Sequence, residues 1–301
     1  MSTETWTVLQ LLTWASDYFK SHNIHPPRPT AEILLAHVLS FNRVDLYIQY
    51  DRPVNPRELA AFKETIKRRL RGEPVAYIVG ERGFWSLDLR VTPDVLIPRP
   101  ETEIVVETAL AVLPKKADGE AKKILDIGTG SGAIVLALAT ERPGYLFYAT
   151  DRSWKALRVA RENARKYRLE EGVRFFCGDL FKPLAGVQNG FDLIVSNPPY
   201  IRRGELNELA SEVSKYEPRE ALDGGPDGLD LIRILVRQAP EFIAPQGWLI
   251  FEIGYDQGED VKCIMAGTKA YEDVTILTDY NNLNRVVRAR LKGNEPQTHA
   301  D

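Results

Sequence analysis

Asp126-Ile127-Gly128-Thr129-Gly130-Ser131-Gly132 is the stretch on which the fold turns. It closes a short strand-like run, residues 123–127, and opens residues 133–140, which read as a helix. The glycines between them permit a tight turn and leave bare backbone against which a ligand can lie, with helix amides facing it. Outward from this unit, residues 145–150 form a second strand ending at Asp151, and residues 173–177 a third, followed by Gly178-Asp179-Leu180-Phe181. Residues 191–195 form a fourth and deliver Asn197-Pro198-Pro199-Tyr200. Residues 229–242 and 256–265 read as helices, 248–253 as a strand, and 274–277 with 285–291 as a terminal hairpin. The pattern is an α/β sheet whose polar and glycine residues gather on the edge where open sheets bind ligands.

The chemistry of those strand ends is specific. A carboxylate at Asp151 can accept both hydroxyls of a ribose. Asp179 can accept from an adenine amino group, with Leu180 or Phe181 covering the ring, although Asp179 equally suits an ordinary turn. Asp126 either orients the loop, faces a cationic ligand or caps the helix. Gly128 to Ala133 also satisfies the loose dinucleotide-binding pattern, so the loop by itself leaves nicotinamide and sulfonium cofactors both open. At Asn197 the side chain offers an acceptor oxygen and a donor nitrogen. Pro198 and Pro199 fix φ and deny a helix, so the Asn197 and Pro198 carbonyls stand as rigid acceptors, and Tyr200 adds a flat stacking face. Such a site suits a planar –NH2 group, whether an amide or an amino base.

The 301 residues suffice for two domains, and 44% hydrophobic with 27% charged residues is ordinary for a soluble globular protein. A net charge of −3 disfavours a general nucleic-acid binder. No basic leader precedes an apolar run and no stretch reaches membrane-spanning length, which points to the cytoplasm. Cys177 and Cys263 have no metal-like spacing and are expected to be reduced core residues. His22, His25, His37 and His299 all fall outside the motif region, which argues against a histidine base or a zinc centre there.

The front end is helical. Val8, Leu12, Ala15 and Phe19 recur at helical spacing, and Pro29 can enter a second helix with Leu34, Leu35, Val38 and Leu39 on its apolar face. Asn55-Pro56 with Glu58 forms a capping box before a stripe of Leu59, Phe62, Ile66 and Leu70, and Gly72 can stop that helix. Its outer face is expected to hold Lys63, Lys67, Arg68, Arg69 and Arg71, either solvated or docking a partner. Phe84, Leu87, Leu89 and Val91, then Thr92-Pro93-Asp94 and residues 95–97, read as a hairpin, and 117–120 as a loop.

Gly72-Glu73-Pro74-Val75-Ala76-Tyr77-Ile78, Gly83-Phe84-Trp85, Ile97-Pro98-Arg99-Pro100-Glu101-Thr102-Glu103, the glycine loop, Asn197 to Ile201, and Tyr216-Glu217-Pro218 with Ala221 to Gly225 run through the whole chain. In these motifs the sequence resembles the release-factor glutamine methyltransferases. The resemblance implies a seven-stranded S-adenosylmethionine-dependent methyltransferase sheet of Rossmann-like form, with a small N-terminal helical domain and a linking β-hairpin. The boundaries expected are a substrate-recognition domain over 1–75, the hairpin over 76–98, the methyltransferase domain over 99–292 and a flexible tail over 293–301.

The resemblance also implies methylation of the side-chain amide nitrogen of the Gly-Gly-Gln glutamine in class 1 peptide chain release factors. By motif, Ile127, Gly128, Thr129, Gly130, Ser131 and Asp151 hold S-adenosylmethionine, with Asp179 and Leu180 at the adenine, where relatives often carry an aromatic residue, and Asn197 beside it. Asn197, Pro198, Pro199 and Tyr200 hold the glutamine, and Phe84 and Arg99 help line its pocket. Asn197, Pro198 and Tyr200 are the candidate catalytic residues, and no metal is expected. Two rivals share the site chemistry. A DNA adenine-N6 methyltransferase would need a flipped base and a basic groove that this acidic chain does not advertise, and a ribosomal protein glutamine is the other acceptor. Neither a membrane nor a direct DNA substrate is expected.

Overall fold

The computed structural model describes residues 6–115, 121–186 and 190–293. The 117–120 loop and the tail beyond Gly293 lie outside the described residues. The chain divides into two compact units, one holding residues up to Glu81 together with Ala210–Tyr216, the other holding Arg82–Leu209 and the rest from Glu217.

The first unit is helical. Helix α1 (Val8–Ser21) starts at a Thr7 capping box, and α2 (Pro27–Leu39) starts at Pro27, two residues before the proline the sequence suggested. A short α3 (Asp45–Ile48) precedes α4 (Pro56–Leu70), followed by α5 (Val75–Val79). The α4 cap is as expected: Asn55 Oδ1 accepts from the Glu58 amide at 3.0 Å and Glu58 Oε2 accepts from the Asn55 amide at 3.0 Å. Gly72 follows at φ +90°, a conformation a side chain resists. Phe19, Leu34, Leu35 and Phe62 meet in a dry core. Arg69 departs from expectation. It is 7% exposed, its guanidinium meeting Glu212 at 2.6 Å and the Glu73 carbonyl at 3.0 Å, so the basic outer face lacks it. Glu212 belongs to a helix well over a hundred residues downstream that this unit takes in, so sequence periodicity around Arg69 gave no sign of it.

In the second unit a hairpin pairs β1 (Glu81–Phe84) with β2 (Leu87–Arg90), turning at Trp85-Ser86. Thr92-Pro93-Asp94 does turn the chain, with the Val95 amide bonding the Thr92 carbonyl at 3.0 Å, but no strand returns from it. After helix α6 (Glu103–Val112) come β3 (Lys123–Ile127), α7 (Ala133–Glu141), β4 (Leu146–Asp151), α8 (Trp154–Lys166), β5 (Val173–Cys177) and β6 (Phe191–Ser196). Helix α9 (Ser211–Tyr216) is the segment that joins the first unit. It is followed by α10 (Asp230–Gln238), β7 (Ile243–Glu252), α11 (Gly258–Thr268), β8 (Tyr271–Thr278) and β9 (Asn284–Leu291).

Seven strands form one mixed sheet in the order β5-β4-β3-β6-β7-β9-β8, parallel except for the antiparallel β7–β9 and β8–β9 pairs. Successive side chains alternate between its two faces. Ile124, Leu193 and Ile250 pack on one side with α6 and α7, while Leu125, Ile194 and Leu249 pack on the other with α10 and α11. Coverage on both sides explains why the central strands read as unbroken apolar runs. The cysteines are the exception to the expected core: Cys177 ends the edge strand β5 and Cys263 lies on α11, and both are exposed and free. No helix among the described residues is long and apolar enough to cross a membrane.

Candidate active site

Register levels the strand ends. Ile127 pairs with Thr150 on one side and Ser196 on the other, and Asp151 pairs with Cys177. The chain runs outward from β3 through β4 to β5, then crosses to β6 on the opposite side of β3. The crevice at that reversal is where doubly wound sheets hold ligands. A cleft of about 200 Å³ opens there. Ile127, Gly128, Thr129, Gly130, Ser131, Asp151, Asp179, Leu180, Asn197, Pro198 and Pro199 all line it. One wall comes from Asp94, Val95 and Leu96, at the end of the turn and the start of the segment read from sequence as a returning strand.

The glycine loop is held from three directions. Gly128 and Gly130 take φ of +73° and +57°, and a Cβ on either would meet no atom within 4 Å, so each presents bare backbone to open space. Asp151 is the first anchor. Its Oδ2 accepts from the Gly130 amide at 2.9 Å and its Oδ1 from the Ser153 amide at 2.8 Å, joining the loop to the start of α8. Burial raises the Asp151 pKa, opposed by those two bonds. Each carboxylate oxygen keeps a lone pair for a ligand hydroxyl.

Asp126 is the second anchor. It is 1% exposed, and its Oδ2 accepts from Thr129 Oγ1 at 2.6 Å. It orients the loop from beneath and does not line the cleft. Burial pushes its carboxyl up to about 7, the Thr129 bond pulling the other way. The third anchor was not foreseen. Asn163 of α8, fully buried, donates to the Ser131 carbonyl at 2.8 Å and the Arg90 carbonyl at 3.0 Å, and accepts from the Arg90 amide at 2.7 Å. The hint was a lone Asn at the helical spacing of Ala156, Val159 and Ala160.

At the third strand end, Leu180 adopts φ +50° beside Asp179, whose carboxylate is exposed and bonded to Lys182 Nζ at 2.8 Å. At the fourth, Asn197 Nδ2 donates to Thr102 Oγ1 at 3.0 Å. Thr102 Oγ1 donates in turn to Glu252 Oε2 at 2.6 Å, and the Tyr200 hydroxyl donates to Glu252 Oε1 at 3.0 Å. Glu252 is 1% exposed, and its pKa is raised by burial against those two bonds. Because Ser196 pairs with Phe251, the next residue of each strand falls alongside the other. The sequence signal for Glu252 was one carboxylate inside an otherwise apolar buried strand. Among the described residues none donates to Asn197 Oδ1 or to the Pro198 carbonyl.

The backbone beyond is clamped. Gln257 Nε2 donates to the Tyr200 carbonyl at 2.9 Å. A Cβ on Gly228 would lie 2.3 Å from that carbonyl oxygen, and one on Gly224 would lie 2.8 Å from the Pro199 carbonyl oxygen. The Gly224 to Gly228 loop is glycine-rich where it presses on the tetrapeptide.

Three candidate residues are not in the cleft. Phe84 is 2% exposed and sits in the sheet core with Leu87, Leu89 and Ala109, because the hairpin turns its aromatic ring inward. Arg99 is paired with Glu217, whose carboxylate also accepts from the Ile97 amide at 3.1 Å, so the guanidinium braces the chain. Tyr200 is not among the residues lining the cleft; its hydroxyl is bonded to Glu252 and its pKa is raised by burial, so that hydroxyl braces the site.

Comparison with known proteins bears on the family and the fold. Residues 10–80 match the PrmC N-terminal domain, and residues 103–216 the Methyltransferase small domain. A release factor glutamine methyltransferase of Geobacter sulfurreducens is 43% identical over 96% of this chain and 98% of its own. One of Coxiella burnetii is 43% identical over 88% of this chain and 92% of its own. Among solved structures, a methyltransferase of Pyrococcus furiosus shares the fold at 20% identity, with a TM-score of 0.50 over 77% of this chain and 99% of that one.

Proposed function

The chain belongs to the release factor glutamine methyltransferases, and from that premise we propose that it methylates the side-chain amide nitrogen, N5, of the Gly-Gly-Gln glutamine in class 1 peptide chain release factors, with S-adenosylmethionine as donor. The observation that carries this reading is the pair of unused acceptors, Asn197 Oδ1 and the Pro198 carbonyl, at a strand end that borders the cleft lined by the glycine loop and Asp151.

The residues fit the donor. Gly128 and Gly130 leave a cradle that side chains would fill, Asp151 offers lone pairs to ribose hydroxyls, and Asp179 and Leu180 lie where a base would end. Bound there, S-adenosylmethionine supplies a methyl group made electrophilic by its sulfonium. The protein's task is the other partner. An amide nitrogen is a poor nucleophile because its lone pair is delocalised into the carbonyl. Asn197 and Pro198 accept its two N–H groups, hold the nitrogen on one line of approach and favour the positive charge that grows on it, and positioning of this kind supplies several kcal/mol. The proton leaves to water after transfer, when it has become far more acidic.

A lone glutamine offers little area, and association costs at least about 4 kcal/mol. The helical unit therefore supplies contacts with the folded factor remote from the reaction. The net charge of −3 favours a protein acceptor over DNA. The test is incubation of the enzyme and labelled S-adenosylmethionine with purified release factor, ribosomal protein or duplex DNA, with peptide mapping of the product. Label on the Gly-Gly-Gln peptide is expected. Faster labelling of DNA or ribosomal protein overturns the reading.

A further inference from the structure

The chemistry proposed above uses Asn197 as an acceptor, yet nothing in an isolated asparagine decides whether its oxygen or its nitrogen faces the ligand. The decision lies in the buried chain behind it. Glu252 as a carboxylate only accepts, and it receives the Tyr200 hydroxyl on Oε1 at 3.0 Å and the Thr102 hydroxyl on Oε2 at 2.6 Å. A hydroxyl carries one proton, so the Thr102 proton is committed to Glu252. Thr102 Oγ1 can then only accept from Asn197, and the atom 3.0 Å from it is Nδ2. The amide is planar, with its two polar atoms on opposite sides, so Oδ1 is left for the ligand. Thr102 is 3% exposed and Glu252 1%, so water does not compete for these protons.

We infer that Thr102 and Glu252 are positioning residues that fix Asn197 with its oxygen toward the ligand, and that this proton order is what makes the site accept an amide and reject a carboxylate of the same shape. This rests on the reading of the site as a glutamine pocket. A glutamate side chain brings only acceptors, and it would face Asn197 Oδ1 and the Pro198 carbonyl with no proton between them. Sites built to receive an N–H reject analogues lacking one far more strongly than apolar pockets reject a missing methyl. If Asn197 were free to turn over, its NH2 would meet the carboxylate and that rejection would weaken.

Thr102→Val removes the hydroxyl at constant shape, and Thr102→Ser restores it. On intact release factor at saturating donor, Thr102→Val is expected to lower kcat by about tenfold or more. A factor carrying Gly-Gly-Glu is expected to inhibit Thr102→Val more tightly, relative to the KM for Gly-Gly-Gln, than it inhibits the wild type. Thr102→Ser is expected to return both quantities to within about threefold of wild type. A purely structural role for the hydroxyl would not improve binding of the glutamate form. Unchanged discrimination in Thr102→Val, or a serine variant no better than valine, overturns the inference.

A second measurement reads the orientation without turnover. In ¹⁵N-labelled wild-type protein, the Asn197 side-chain amide, assigned by its loss in Asn197→Asp, is expected to show one proton protected from solvent exchange. Rapid exchange of both protons overturns the proton order. A protected proton in a wild-type enzyme that leaves the factor unmethylated removes the glutamine reading and keeps the orientation, so the two failures are told apart.

Discussion

Replacing Asp151 by alanine should separate the loop-holding job that its carboxylate performs from the ribose-binding job proposed for it. In the protein alone it accepts from the Gly130 amide at 2.9 Å and the Ser153 amide at 2.8 Å. Losing the acceptor of a buried amide costs about 1–3 kcal/mol. Against this, burial already raises the Asp151 pKa, so removing the charge relieves a desolvation penalty. The net loss of stability should fall at about 1–3 kcal/mol, a drop in Tm of roughly 2–4 °C for each kcal/mol. For the donor the change is larger. Two ribose hydroxyls bound by a charged acceptor contribute about 1.5–3 kcal/mol each, so affinity should fall by about 10² to 10⁴. Asp151→Asn keeps one acceptor oxygen and should lie between. Calorimetric titration with S-adenosylmethionine, alongside thermal unfolding without it, reads both effects, and release-factor KM should move far less. A folded Asp151→Ala protein that binds the donor within about threefold of wild type refutes the ribose assignment. Tight NADH binding by the wild type refutes it as well.

Asn197→Ala should fold and bind the donor while single-turnover transfer falls by more than tenfold, about 1.4 kcal/mol or more; a rate within about threefold would remove it from the reaction. Gly228→Ala and Gly130→Ala should diverge. Both force a side chain to positive φ at about 1–2 kcal/mol, but the first also drives a Cβ to 2.3 Å from the Tyr200 carbonyl oxygen while the second points into open space. Denaturant melts should show Gly228→Ala as the less stable, and titration should show Gly130→Ala as the weaker donor binder; the reverse order contradicts the packing. Asp126 has a folded pKa of about 7 against an ordinary 3.8. The folded state thus holds its proton more tightly, and the stability this gives is present below about pH 4 and lost as pH rises through about 7. Asp126→Asn lacks that loss, so its stability relative to wild type should grow between those values by an amount on the order of a few kcal/mol. Urea unfolding from pH 4 to 8 checks this, and a constant difference argues against a buried titrating carboxyl.

Much of the sheet was legible because central strands carry long apolar runs and because ligand residues sit where strands end. The glycine loop, Asp151, Asp179 and Asn197 needed only that rule to be gathered into one cleft. Phe84 was misplaced because hydrophobicity reports that a ring is buried and says nothing of which cavity or core it enters. Tyr200 and Arg99 were assigned to the ligand, yet each is occupied by a buried carboxylate, Glu252 and Glu217, that comes from a distant part of the chain. Thr102 and Asn197 are 95 residues apart, and Asn163 and Arg90 are 73 apart; no local period links them. Helices α3, α5 and α9 span 4, 5 and 6 residues, too short for a period to show itself. Arg69 followed the pattern of an exposed face because its partner Glu212 lies beyond most of the sheet strands.

That last placement bears on the order in which the protein is made. Synthesis runs from the N-terminus, and domains ordinarily fold as they emerge. Here the helical unit is finished only when Ala210–Tyr216 arrives, after β3, β4, β5 and β6 have left the ribosome. Until then the Arg69 guanidinium lacks Glu212, and Tyr216 cannot donate to the Arg71 carbonyl, a bond 3.1 Å long in the folded protein. The helices have their own apolar core, but these two polar contacts are encoded more than a hundred residues downstream. The unit that starts the chain thus receives its last segment midway through synthesis, ahead of α10, β7, α11, β8 and β9.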